Sequence, residues 1–174
     1  MPADVIVHPF GEIQEELLMA VRQAIEQQFR MRVAVGESRR LPENSYSQER
    51  GQYRSTRFLD ELFKVGPDPQ IRLGIAAVDL FVPELNFVFG EASSKRRVAV
   101  FSITRLNPRF SGEPADQKKI TDRAVTEATH ELGHVLGLGH CDRHDCVMWF
   151  SNTLAETDRK GSAFCRRCAE KLDC

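Results

Sequence analysis

Between His130 and Met148 the chain reads HELGHVLGLGHCDRHDCVM: four histidines, two cysteines, one glutamate and three glycines in nineteen residues. His130 and His134 are four apart, so on a helix they lie one above the other on the same face. Two imidazoles so placed can ligate one zinc ion. Glu131 sits roughly 100° round the helix from His130. That is a poor position for joining them on the metal, but it reaches a water held there. Zinc lowers the pKa of such a water towards about 7, and a carboxylate can then take its proton. The spacing therefore points to metal-assisted hydrolysis with Glu131 as general base.

A catalytic zinc takes three protein ligands and keeps one position open. A straight helix would carry later residues away from the metal. Gly137 follows at once, and glycine commonly ends helices because it tolerates positive φ. A sharp turn there can bring His140 back as the third ligand. Gly133, inside the helix, costs about 1 kcal/mol relative to Ala and reads as a point of close packing. A chance match to the five fixed positions of HExxHxxGxxH is well under about one in a hundred thousand at any start position, which sets aside a helix of ordinary core histidines.

All five cysteines fall in the last 34 residues. Cys141 and Cys146 form one close pair, Cys165 and Cys168 another. Two close pairs with an intervening loop are the spacing of a closed four-thiolate zinc site, structural because no ligand position stays open. Cys174 has no partner in that scheme and reads as a free terminal thiol. His144 and His8 read as exposed or hydrogen-bonded rather than as ligands.

These residues need a scaffold. Residues 5–7 (VIV) read as a first strand. Residues 12–30 repeat apolar positions Ile13, Leu17, Val21 and Ile25 in a helical rhythm. MRVAV (31–35) reads as a second strand, and the polar stretch 36–53 as a surface loop. RFLDELFK (57–64) reads as a short helix stopped by PDP (67–69). IRLGIAAVDL (71–80) reads as a central strand, and residues 86–92 and 96–103 as two more, joined by a Ser-Ser turn. A loop (105–114) leads into one long helix from about Asp116 to Leu136. Helices between the early strands and adjacent later strands give an α/β (α+β) class, a mixed sheet with helices packed on it.

The chain of 174 residues, 41 % hydrophobic, suits one domain, and its formal net charge of −1 gives no reason to expect nucleic acid or an anionic membrane as partner. The short basic clusters at Arg39-Arg40, Lys95-Arg96-Arg97 and Lys118-Lys119 read as solvated charge. No apolar run approaches the roughly 18 residues that span a bilayer, and MPADVIVHPF does not read as a signal peptide. A cytoplasmic protein is expected, where thiols serve as metal ligands more often than as disulfides.

HELGHVLGLGHC, CVM and FCRRC together resemble the archaemetzincins, metzincin-type zinc proteases with an added structural zinc. The resemblance implies a metzincin-like (zincin) fold: a mostly parallel five-stranded sheet, a backing helix, an active-site helix and a small zinc-stapled C-terminal part with a short helix around Ala163–Leu172. It implies one catalytic domain over 1–174, with an upper subdomain at 1–137 and a lower one at 138–174. It implies two zinc ions, one on His130, His134 and His140, the other on Cys141, Cys146, Cys165 and Cys168. Glu131 would be base and proton shuttle, and Met148 would form the methionine turn beneath the histidines. An edge strand near Asn86–Glu91 would line the cleft and pair with a substrate peptide.

The expected function is therefore peptide-bond hydrolysis, with a peptide or protein as substrate. The rivals are a zinc hydrolase of a non-peptide amide, a non-catalytic zinc-dependent binding protein, and a nucleic-acid-binding zinc protein. The intact Glu131 disfavours the second, and the mixed charge of residues 141–174 disfavours the third. Tyr46 and Tyr53 are the candidates for an oxyanion donor. Glu91 and Glu113 are candidates for an anchor of a substrate amine.

Overall fold

A computed structural model describes residues 1–65 and 70–172. The PDP segment and Cys174 lie outside them.

Strands β1 (Val5–Phe10), β2 (Val33–Val35), β5 (Ile71–Ala76), β7 (Gly90–Ser93) and β8 (Val98–Ser102) form one sheet in the order β2-β1-β5-β8-β7. β1 runs parallel to β2 and to β5, β5 runs parallel to β8, and only β7 is antiparallel, against β8. The mixed, mostly parallel five-stranded sheet is as expected. β5 is buried along its whole length, which is why it reads as a nearly continuous apolar run rather than an alternation.

Helix α1 (Glu15–Phe29) buries Leu17, Val21 and Ile25, the i, i+4, i+8 stripe of its sequence. With α3 (Gln117–Val135) it covers one face of the sheet. There Val5, Val7, Ile71, Leu73, Ile75 and Phe101 meet Ala124, Ala128 and Leu132. Helix α2 (Ser55–Phe63) covers the other face, where Phe58 and Leu62 pack on Phe10, Val98 and Val100. The sheet is thus a middle layer between α2 and the α1–α3 pair.

Three expectations are corrected. The polar stretch 36–53 is not all loop: β3 (Tyr46–Ser47) and β4 (Gln52–Arg54) pair antiparallel and join β6 (Leu80–Phe81) in a small second sheet. The third strand ends at Ala76, because β1 ends beside it at Phe10, whose carbonyl takes the Ala77 N–H. Residues 80–81 then change sheet, helped by Asp79, whose carboxylate accepts from Arg105 and Gln52. The edge strand starts at Gly90, later than Asn86. Residues 86–89 run on as its extension, tied by the Val88–Leu80 bridge and by the Ser102 N–H donating to the Phe89 carbonyl.

After α3 come two short helices, α4 (Leu154–Lys160) and α5 (Arg166–Leu172). α5 matches the helix expected near 163–172, whereas α4 was not anticipated. Its signal was present: Thr153 and Glu156 make a capping box, Thr153 Oγ1 accepting from the Glu156 N–H and the Glu156 carboxylate from the Thr153 N–H. Arg123 of α3, almost fully buried, reaches Asp158 of α4 with two 2.7 Å hydrogen bonds and so fixes α4 against the long helix.

Candidate metal centres and substrate cleft

α3 starts at Asp116, whose side chain accepts from the Lys119 N–H, and carries two faces. One is apolar and enters the core. The other presents Glu127, His130, Glu131 and His134, spaced i, i+3, i+4 and i+7, to a cleft. The helix stops in a turn that satisfies its last carbonyls. The Leu138 N–H donates to Gly133 O at 2.9 Å and the Gly137 N–H to His134 O at 3.0 Å, with Gly137 at φ +95°. This is a Schellman arrangement, which needs a left-handed residue at that point. It turns the chain back so that His140 comes up beside the other two histidines.

The ring nitrogens show what that arrangement accommodates. His130 Nδ1 lies 2.7 Å from Val147 O, and His134 Nδ1 lies 2.8 Å from Leu138 O. A carbonyl only accepts, so both Nδ1 atoms carry the proton and both Nε2 atoms present lone pairs. Those two Nε2 atoms face each other at 3.0 Å. Two lone pairs at that distance repel unless a cation lies between them. One ligand nitrogen from each of His130, His134 and His140 falls within 4.8 Å of the others. The donor set fits a zinc ion with three imidazole ligands. Burial, then the Lys160 ammonium and His134, push His130 down to about 2, and burial lowers His134 and His140 too. All three are held in the neutral form that ligates a metal.

Glu131 is buried beside Gly90 of the edge strand. A Cβ at Gly90 would lie 2.7 Å from Glu131 Cδ, so the carboxylate occupies the space a side chain would fill. Burial, then the charge of Glu127, raise the Glu131 carboxyl well above the usual range. A bound metal acts in the other direction. Met148 is fully buried under α3, and a Cβ on Gly133 would come 2.5 Å from its Sδ. Close packing at Gly133 is therefore what lets Met148 sit beneath the histidines.

The four thiols of Cys141, Cys146, Cys165 and Cys168 also converge, one sulfur from each within 4.8 Å of the others. The Cys141 and Cys165 sulfurs are 3.8 Å apart. That is far beyond a disulfide and is about the edge of a tetrahedron with ligands at about 2.3 Å. Donors surround them: the Cys165 N–H points at Cys146 Sγ, and Arg167 lies 3.4 Å from Cys141 Sγ. Burial opposes ionisation of Cys165, but the Cys168 N–H and the neighbouring thiols bring it to about 7. This set fits a closed zinc site.

The cleft has a volume of about 400 Å³, bounded above by residues 85–92 and below by Phe150, Ser151 and Asn152. Its floor holds a buried pair, Lys160 of α4 and Glu127 of α3, with Nζ 3.5 Å from Oε1. Sequence reasoning missed Glu127, Ser151 and Lys160. Glu127 could have been found, three residues before His130 on the same helical face. Nothing local marked Lys160, which arrives from 30 residues further on.

Of the other candidates, Glu91 alone borders the cleft. Tyr46 and Tyr53 meet across β3 and β4, their ring centroids 4.9 Å apart and their planes tilted by 50°, and do not line the cleft. The Glu91 carboxylate is taken by Ser55 and Thr56 at the start of α2, and Glu113 lies beside Lys119. His144 is exposed. His8 is buried against Arg39, whose Nε is 3.4 Å from Nδ1. Neither joins a metal-ligating group.

The model of peptidase family M54 matches residues 12–174 of this sequence. The chain belongs to that family, the archaemetzincins. It is 40 % identical to an archaemetzincin of Pyrococcus furiosus, covering 97 % of this chain and 92 % of that protein. With an archaemetzincin of Methanopyrus kandleri the identity is 47 % over 76 % of this chain and 73 % of that one. Among solved structures, the crystal structure of the Methanopyrus kandleri archaemetzincin superposes with a TM-score of 0.85, at 38 % identity over 97 % of this chain and 93 % of that one. A zinc-dependent peptidase of Methanocorpusculum labreanum gives 0.88, at 29 % identity over 97 % and 99 %. As a member of peptidase family M54, the chain is a zinc metallopeptidase. Among the described residues no helix is long and apolar enough to cross a membrane.

Proposed function

We propose that His130, His134 and His140 hold a catalytic zinc, that Glu131 is the general base, and that Cys141, Cys146, Cys165 and Cys168 hold a second, structural zinc. The observation that carries the reading is the pair of Nε2 lone pairs facing each other at 3.0 Å, both Nδ1 protons already being given to carbonyls. Zinc, when bound, supplies Lewis acidity that activates water and polarises a carbonyl.

The chain's own residues do the rest. Glu131 takes the proton of the attacking water and hands it to the leaving amine. The Val147 and Leu138 carbonyls fix the tautomer and tilt of His130 and His134. Gly137 sets the turn that delivers His140, and Met148 supports the histidines from below. The edge strand β7 offers free backbone groups to an extended substrate peptide. The division into an upper part at 1–137 and a lower part at 138–174 follows from this scheme, the cleft lying between them. Four closely grouped thiols suit a reducing compartment such as the cytoplasm. The partner is a peptide or protein rather than nucleic acid, in keeping with the near-neutral charge.

The test is a diverse peptide mixture incubated with zinc-loaded wild type and with Glu131→Ala, products read by mass spectrometry and zinc measured on both. Cleavage by wild type alone, with equal zinc in the two, is the expected result. Equal cleavage by the variant would remove Glu131 from the mechanism.

A further inference from the structure

Resting on the reading above, we propose that the pocket floored by Lys160, Glu127 and Ser151 selects a carboxamide side chain, glutamine or asparagine, on the amine side of the scissile bond (P1′). Glu131 must reach the leaving amine, so P1′ lies on the Glu131 side of the metal centre. Glu127 sits one helical turn before Glu131 on the same face, and Ser151 and Lys160 close the pocket beneath it.

The floor is polar and its hydrogen-bonding is unfinished. The Lys160 side chain is 1 % exposed and Glu127 3 %. The Lys160 ammonium has three protons to give. Its acceptors are Trp149 O at 3.3 Å and Glu127 Oε1 at 3.5 Å, both long. His130 Nδ1 at 3.4 Å is no acceptor, since its proton goes to Val147 O. On Glu127 the Thr157 hydroxyl falls on the same Oε1, at 3.4 Å. The Ser151 hydroxyl, nine-tenths buried, has no partner among the described residues. Buried polar groups are rarely left so, and a ligand group that completes them is favoured over one that does not.

The chemistry of the missing group follows from the pair. It is neutral overall, so a further buried charge would stand uncompensated. A carboxamide has an oxygen to accept from Lys160 and an NH₂ to donate to Glu127 and Ser151. An aliphatic side chain would leave all three unfilled. Sites built to hydrogen-bond a substrate group discriminate strongly against analogues that lack it.

The experiment uses the zinc-loaded protein and four peptidyl hydroxamates identical except at P1′: glutamine, its apolar near-isostere methionine, leucine and glutamate. Dissociation constants are measured by calorimetry, which needs no turnover. Glutamine is expected to bind at least about tenfold tighter than methionine or leucine, and tighter than glutamate. Lys160→Met should erase that preference. Ser151→Ala, which keeps the ion pair and the fold, should weaken it severalfold. Equal or tighter binding of leucine or methionine overturns the proposal, as does glutamate binding tightest or a preference that survives both substitutions. Binding by none of the four overturns it along with the zinc centre. Glutamine preference without hydrolysis of any peptide would sink the peptidase mechanism and leave the pocket assignment standing. Hydrolysis with apolar preference would do the reverse.

Discussion

In residues 1–137 the sheet carries its own apolar core on both faces, with Phe10, Phe58, Phe101 and Leu132 among the fully buried side chains. After Gly137 there is far less to bury: Leu138, Val147 and Met148, with Phe164 and Leu172 at the margin, gathered around the four cysteines. The helices there, α4 and α5, have seven residues each, too short to persist on propensity alone. One part is held by the hydrophobic effect, whereas the other gathers its few apolar side chains around the four cysteines proposed to hold zinc. The proposed active centre spans both, because His130 on the long helix hydrogen-bonds to the Val147 carbonyl in the second part. On the proposed zinc assignments, a metal-dependent fold would thereby be a condition of catalysis.

The largest effect expected from that contrast comes from dismantling the cysteine site. A structural zinc supplies on the order of 10 kcal/mol of local folding free energy. Chelation, or Cys146→Ser, should strip hydrogen-exchange protection from residues 141–172 and abolish activity while β1, β5 and β8 keep theirs. Simultaneous loss of protection in β5 would show that the two parts fold as one.

Next in size is Glu131→Gln, which removes the base without altering packing. Turnover should fall by about 10²- to 10⁴-fold, with zinc content and melting temperature unchanged. A parallel loss of zinc would mean that Glu131 helps hold the metal.

Gly133→Ala probes the seam itself. On an isolated helix alanine would gain about 1 kcal/mol. Here its Cβ would press on Met148 Sδ, and overpacking costs about 1–3 kcal/mol. Net destabilisation in chemical denaturation is expected, and a rise in stability would show that Met148 is loosely held.

The smallest effect isolates the sheet from the metals. In the unfolded chain His8 takes up a proton near pH 6.5. In the fold, burial first, then the charges of Arg39 and Arg72, resist it until about 4. Between those values the unfolded state binds more protons, so stability falls as the pH drops, by about 1.4 kcal/mol per pH unit at most, and levels off below about 4. His8→Gln should flatten that slope, and an unchanged slope would place the acid sensitivity elsewhere.

How far these features could be read from residues alone depends on their range. α1 and α3 were legible because their apolar positions recur with the helical period. β5 was legible because a strand covered on both faces is apolar along nearly its whole length, Arg72 being the exception. Met148 beneath Gly133 was legible only through family resemblance. β3, β4 and β6 were not legible: each is two or three residues long, and their pairing joins Tyr53 to Leu80 across a stretch with no shared pattern. α4 was written in its capping box and passed over for want of an apolar stripe.

The sequence by itself determined the two groups of candidate ligands, the place of Glu131 beside the histidines and the glycine that ends the helix. Each is a matter of a few residues at fixed spacing, and helix geometry converts spacing directly into direction. Only the tertiary structure decided that β7 is the edge strand beside Glu131, that the Glu91 carboxylate is held at the start of α2, and that Lys160 comes from α4 to meet Glu127 under the three histidines. Those placements rest on contacts between residues distant along the chain, which no local period encodes and which exist only once the core has closed.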